Sequence, residues 1–224
     1  CQLLENLKQQ REKHPEWTWG HQEKVDLLLA ENYARNHREK EALTLFDAIQ
    51  ERSSSLRNHL AASASLQSAR LRLAVWKKTK QESPLKILTQ LKNLVLQRTL
   101  TNEPIHLEAA FEYIDLQTDL ENNSPEKRLA LSCKTKEDFE NGSDLLARDY
   151  QQSRKSNPVK ALLYSAYIEL LDAEILLCKA KIALELSERA AFEQEAHDLL
   201  TKLMQKPLTP FLEKRVKNHL LKIS

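Results

Sequence analysis

Apolar residues recur along this chain three and four positions apart, the spacing of one helix face, in segment after segment. Leu3, Leu4 and Leu7 place a helix over residues 2–14, which stops before Pro15 because proline disfavours helical geometry in the residue ahead of it. Residues 159–186 form the longest nearly unbroken apolar run. Free of Gly and Pro, they read as one long helix with Pro158 in its first turn. At roughly 1.5 Å per residue such a helix spans about 40 Å, and its apolar circumference predicts packing from several sides. A membrane span is the competing reading; Glu169, Asp172 and Glu174 in the middle argue against it, since each charge is costly in hydrocarbon.

Further helices are predicted over 55–80, 83–97, 105–120 and 124–139, with a final pair over 189–206 and 210–223. Ser83-Pro84 and Ser124-Pro125 each offer a serine cap followed by a proline at the first helical position. Lys206-Pro-Leu-Thr-Pro is a stiff connector inside the final pair. Composition agrees, because Leu, Ala, Glu, Lys, Gln and Arg abound, whereas only two glycines occur, Gly20 and Gly142. That scarcity excludes a dinucleotide fingerprint, a phosphate loop and glycine-turned hairpins. The chain is therefore read as all-α.

One local pattern goes further. Leu29-Ala30 and Tyr33 on one helix face Ala42, Phe46 and Ile49 on the next, an alternation of large and small side chains. These residues resemble the tetratricopeptide repeat, in which two antiparallel helices interlock through such alternation. Asp26 stands where that family has Trp, Ala30 where it has Gly, and Ser54 where it has Pro. Weaker echoes follow in Ala109-Ala110 with Tyr113, in Leu146-Ala147 with Tyr150, and in Val159, Leu163 and Ala166. Successive second helices are spaced by about 45, 42 and 30 residues, against about 34 in the family, so the array is irregular. The resemblance implies an irregular tetratricopeptide-like α-solenoid of about ten antiparallel helices, forming a single helical-repeat domain over 1–224. Residues 1–22, with Trp17 and Trp19, would cap it; 23–187 would be the repeat helices, and 188–224 the basic C-terminal capping helices.

A net charge of +2 does not call for a nucleic-acid partner. The basic stretch of Arg70, Arg72, Lys77, Lys78 and Lys80 around Trp76 is read as a solvated face. Charge is unevenly spread, with six acidic and no basic residues over 101–124, and six basic residues with Glu213 alone acidic over 201–224. Cys133 and Cys178, among apolar neighbours, are expected in the core. Cys1 resembles the lipid-bearing first residue of a processed bacterial lipoprotein, which implies lipidation at Cys1 and a periplasmic, membrane-anchored protein. An arbitrary starting point, with a cytoplasmic protein, is the alternative.

The seven histidines show no metal-ligand spacing, and no nucleophile elbow occurs, so no catalytic residue, metal or cofactor is assigned. Glu108, Glu112, Asp115 and Asp119 follow steps of four, three and four, which aligns them along one helix face. In tetratricopeptide arrays the first helix of each pair lines the concave groove, and by that resemblance the stripe would receive Lys or Arg of a partner segment. A solvated stripe, or internal pairing with the basic C-terminal helices, is the alternative. The function expected is a non-catalytic protein–protein interaction scaffold that takes a partner helix or peptide in the groove. A permanent structural subunit of an assembly comes second, and a nucleic-acid-binding regulator third.

Overall fold

The computed structural model describes residues 2–14, 22–52, 59–96, 105–140, 152 and 154–223. Among these it is all-helical, with no strand. The helices are α1 (Gln2–Lys13), α2 (Gln22–Arg35), α3 (Glu39–Arg52), α4 (His59–Thr79), α5 (Pro84–Leu96), α6 (Ile105–Leu120), α7 (Pro125–Glu140), α8 (Pro158–Ile182), α9 (Leu186–Leu203) and α10 (Pro210–Ile223). Cys1, Trp17, Trp19, Ser54, Leu146, Ala147 and Tyr150, on which parts of the sequence reading rest, lie outside the described residues. The chain divides into two compact units, Cys1–Ala109 and Ala110–Ser224.

In the first unit, helices joined by short connections pack on one another in sequence from α1 to α5, and α2 also meets α4. Leu29, Ala30, Tyr33, Ala42, Phe46 and Ile49, the residues behind the repeat resemblance, are all buried in one core cluster. Large and small side chains thus fill a shared space between α2 and α3, as close packing requires. Asp26, where an aromatic was the family expectation, is only 1% exposed and accepts a 2.6 Å hydrogen bond from Arg52 of α3. An ion pair here links the two helices.

The turn between α2 and α3 is closed by Arg38 N donating to Tyr33 O at 2.9 Å and His37 N to Ala34 O at 3.3 Å. His37 takes the positive φ of 57° that glycine usually supplies, in a chain that has almost no glycine. Arg38 lies 4.0 Å from the Tyr33 ring centroid and donates to Glu5 of α1 at 2.7 Å. One guanidinium therefore ties α1 to the first helix pair.

The second unit is arranged on α8. Helices α7 and α9 pack along it, and α10 packs on α9 and touches α8. Its start follows local rules: Pro158 opens the helix and Asn157 Oδ1 accepts from Lys160 N at 3.1 Å. From Tyr164 to Ala180 its buried residues fall on every side of the helix, as the apolar run predicted. The helix stops at Ile182, however, short of the predicted 186. Leu184 stands in the connector and Leu186 opens α9. No Gly or Pro marks that stop in the sequence; the return of α9 along α8 overrides the helical propensity of the run.

The three acidic residues that argued against a membrane span all find cations from other elements. Lys206 Nζ lies 2.6 Å from Glu169, Lys136 Nζ lies 2.6 Å from Asp172, and Glu174 meets three cation-forming side chains described below. No described helix is long and apolar enough to cross a membrane. Phe111, Tyr167 and Phe211 form a ring cluster with centroids 6.0 to 6.3 Å apart. Cys178 is buried, and burial pushes its thiol up. Cys133 corrects the expectation of a core residue, because it lies on an exposed position of α7.

Candidate functional site

Glu108, Glu112, Asp115 and Asp119 do lie along α6, all of them half-buried. None of the four stands free. In the first unit Glu108 accepts from Arg70 of α4 at 2.9 Å. In the second unit Asp115 enters an ion cluster built from four helices. Its Oδ1 accepts from Arg128 of α7 at 2.6 Å and from Arg215 of α10 at 2.8 Å, while Oδ2 accepts from Arg215 at 2.6 Å. Arg215 Nε also donates to Glu174 Oε1 at 2.6 Å, and the His219 ring lies 3.0 Å from the same oxygen. Arg128 closes the ring on Glu174 Oε2 at 2.8 Å.

Glu174 is 1% exposed, so its charge has left water and must be compensated inside the protein. Burial opposes its charged form, yet Arg215, the His219 hydrogen bond and Arg128 outweigh that cost and hold its carboxyl well below the ordinary range. Asp115 follows the same balance: burial pushes it up, while Arg215 and Arg128 bring it below its ordinary value against the repulsion of Glu174. Both arginines are driven the other way, Glu174 and Asp115 overcoming the burial that disfavours their charge. Carboxylates so held do not take up a proton near neutrality, and their oxygens already have donors. The cluster is a clamp between helices.

A concave surface lies elsewhere, between α2 and α4. It is a groove of about 330 Å³ lined by Glu31, Ala34 and Arg35 of α2 and by Gln67, Arg70, Leu71 and Ala74 of α4, with Phe46 beneath. Each wall is one helical stripe, at steps of three and one on α2 and of three, one and three on α4. These groove residues were missed in the sequence, where Arg70 was read only as part of a basic run. The signal that could have found them is Ala34, Leu71 and Ala74 at helical spacing; Ala34 and Leu71 pack partly buried against the Leu29–Phe46 core, and Ala74 is exposed. Arg70 joins this groove to Glu108, the first residue of the acidic stripe.

Arg72 and Lys80 of the remaining basic stretch are also engaged. Arg72 pairs with Asp47 of α3 at 2.7 Å and with Glu82 at 3.5 Å, and Lys80 Nζ lies 4.1 Å from the Trp76 ring centroid. No protein-family model, curated protein or solved structure matches the chain.

Proposed function

We propose that this protein is a non-catalytic, tetratricopeptide-like helical scaffold that binds another protein, taking a partner helix or peptide in the groove between α2 and α4. The single observation that carries this reading is the groove itself, bounded by alternate helices and floored by Phe46, with Ala34, Leu71 and Ala74 as apolar contact points. In the repeat family that the Leu29–Phe46 pattern resembles, the first helices of successive pairs face one another across the binding surface. The meeting of α2 with α4 supports the same assignment here.

Affinity in this account comes from burying apolar side chains of the partner against Ala34, Leu71 and Ala74, and orientation from the charges of the rim. Glu31, Arg35 and Arg70 stand around the groove, and Glu108 stands behind Arg70. A basic residue of the partner competes with Arg70 for Glu108, whereas Asp115 is committed to Arg215 and Arg128. Of the acidic stripe, Glu108 is thus the residue assigned to partner contact. Quantitative affinity purification tests the reading: Ala74→Glu, at an exposed position of the groove wall, should lose the partner that the wild-type chain retains while its helical circular dichroism is unchanged. Retention of every partner by Ala74→Glu would contradict it.

A further inference from the structure

A second surface lies in the other unit, at the elbow where α8 gives way to α9. Ala183 leaves helical geometry with ψ of 130°, and Leu184 and Leu186 then stand 99% and 83% exposed on either side of Glu185. A groove of about 520 Å³ opens beside them, with Leu129 of α7, Ile182 of α8 and Phe192 of α9 along its walls. Two leucines left in water beside a groove with Leu129, Ile182 and Phe192 in its walls are an unfilled contact, since covering apolar surface is favourable.

The charges around the groove select what covers it. Glu185 and Glu188 line it with Lys179, which is drawn over the Phe192 ring at 5.7 Å from its centroid. Glu185 caps α9 without any side-chain hydrogen bond, and among the described residues neither glutamate is paired with a cation. Anionic lipid is repelled by such a rim. A second copy of the chain, docked across a two-fold axis, would set the same carboxylates against their equivalents. A basic segment gains from both the leucines and the rim.

We propose that the α8–α9 elbow docks an amphipathic helix of a partner protein, with leucine-like anchors over Leu184 and Leu186 and Lys or Arg against Glu185 and Glu188. This is a second contact, independent of the α2–α4 groove.

The experiment titrates the full chain into two fluorescein-labelled peptides of identical leucine spacing, one with lysines on its polar face and one with glutamates, read by fluorescence anisotropy. The lysine peptide should bind at least tenfold more tightly than the glutamate peptide. Leu184→Glu with Leu186→Glu should weaken it at least tenfold with an unchanged thermal melt, because both leucines are exposed and no core is lost. Glu185→Lys with Glu188→Lys should invert the preference, and Ala74→Glu, in the α2–α4 groove, should leave it unaltered. Equal binding of the two peptides, or indifference to the elbow substitutions, overturns the proposal. So does a dimer in sedimentation that the double leucine variant dissolves, which makes the occupant a second copy. Flotation with phosphatidylglycerol vesicles that the same variant abolishes also overturns it, making the occupant a bilayer.

Discussion

Arg215 and Glu174 lie 41 positions apart in the sequence and 2.6 Å apart in the structure, Nε to Oε1, with Glu174 enclosed by protein. Through this pair, and through the two bonds from Arg215 to Asp115, α10 is fastened to α8 and α6. The rings of Phe211, Phe111 and Tyr167 lie beside the clamp, with the Arg215 guanidinium 4.8 Å from the Phe111 centroid. Burial of Leu212 and Val216 supplies the apolar part of the same attachment.

Removing one partner of such a pair costs far more than the pair is worth, because the other charge stays buried and unpaired. Glu174→Gln leaves Arg128 and Arg215 sharing Asp115 alone, and the expected loss is roughly 3–5 kcal/mol. Chemical denaturation followed by circular dichroism measures it. A loss below about 1 kcal/mol, the range of an exposed ion pair, would show that the cluster is hydrated.

The cluster also sets an acid limit. Glu174 and Asp115 are held below their ordinary values when folded, so the unfolded chain binds protons first as the pH falls. Their contribution is fully present above the unfolded carboxylate values of about 4, and is lost as the pH drops through the folded ones. Thermal melts should therefore show little change from these groups between pH 7 and pH 5 and a fall below about pH 4. In Glu174→Gln that acid fall should be shallower.

In the first unit the interlock of α2 and α3 predicts two opposite failures. Phe46→Ala empties a fully buried site and should cost about 3–5 kcal/mol. Ala42→Leu overfills a position with no exposure and should cost about 1–3 kcal/mol. Urea unfolding compares them, and tolerance of both would mean that the two helices do not interlock.

The start of α8 is a local device and should respond locally. Asn157→Ala removes the acceptor for Lys160 N and should lower stability by about 1 kcal/mol, whereas Asn157→Gly should cost only a few tenths. Equal losses in the two variants would place the contribution of Asn157 elsewhere.

Helix positions were legible wherever propensity and a local start signal coincide, as at Ser83-Pro84, Ser124-Pro125 and Pro158. The core of α2 and α3 was legible because Leu29, Ala30, Tyr33, Ala42 and Phe46 carry a size pattern as well as a period. The end of α8 was not. Leu184 and Leu186 continue the apolar run, and only the packing of α9 reveals that they face water. Alignment of the four carboxylates on α6 followed from spacing alone, and internal pairing with the basic C-terminal helices, the alternative drawn from charge, holds for Asp115 with Arg215; the individual partners did not follow, since Arg70 is 38 positions from Glu108 and Arg215 is 100 positions from Asp115. Long-range pairing of this kind leaves no periodic trace in a single sequence.

As proposed, the α2–α4 groove receives a partner protein. The most direct test places a photo-crosslinking amino acid in the living source cell at position 74, on the groove wall, and at position 92, an exposed position of α5 outside it. A discrete crosslinked protein is expected from position 74, absent from position 92 and lost when Arg35→Glu, at an exposed residue of the same groove, is combined with it. No crosslink from position 74, or the same product from both positions, would contradict it.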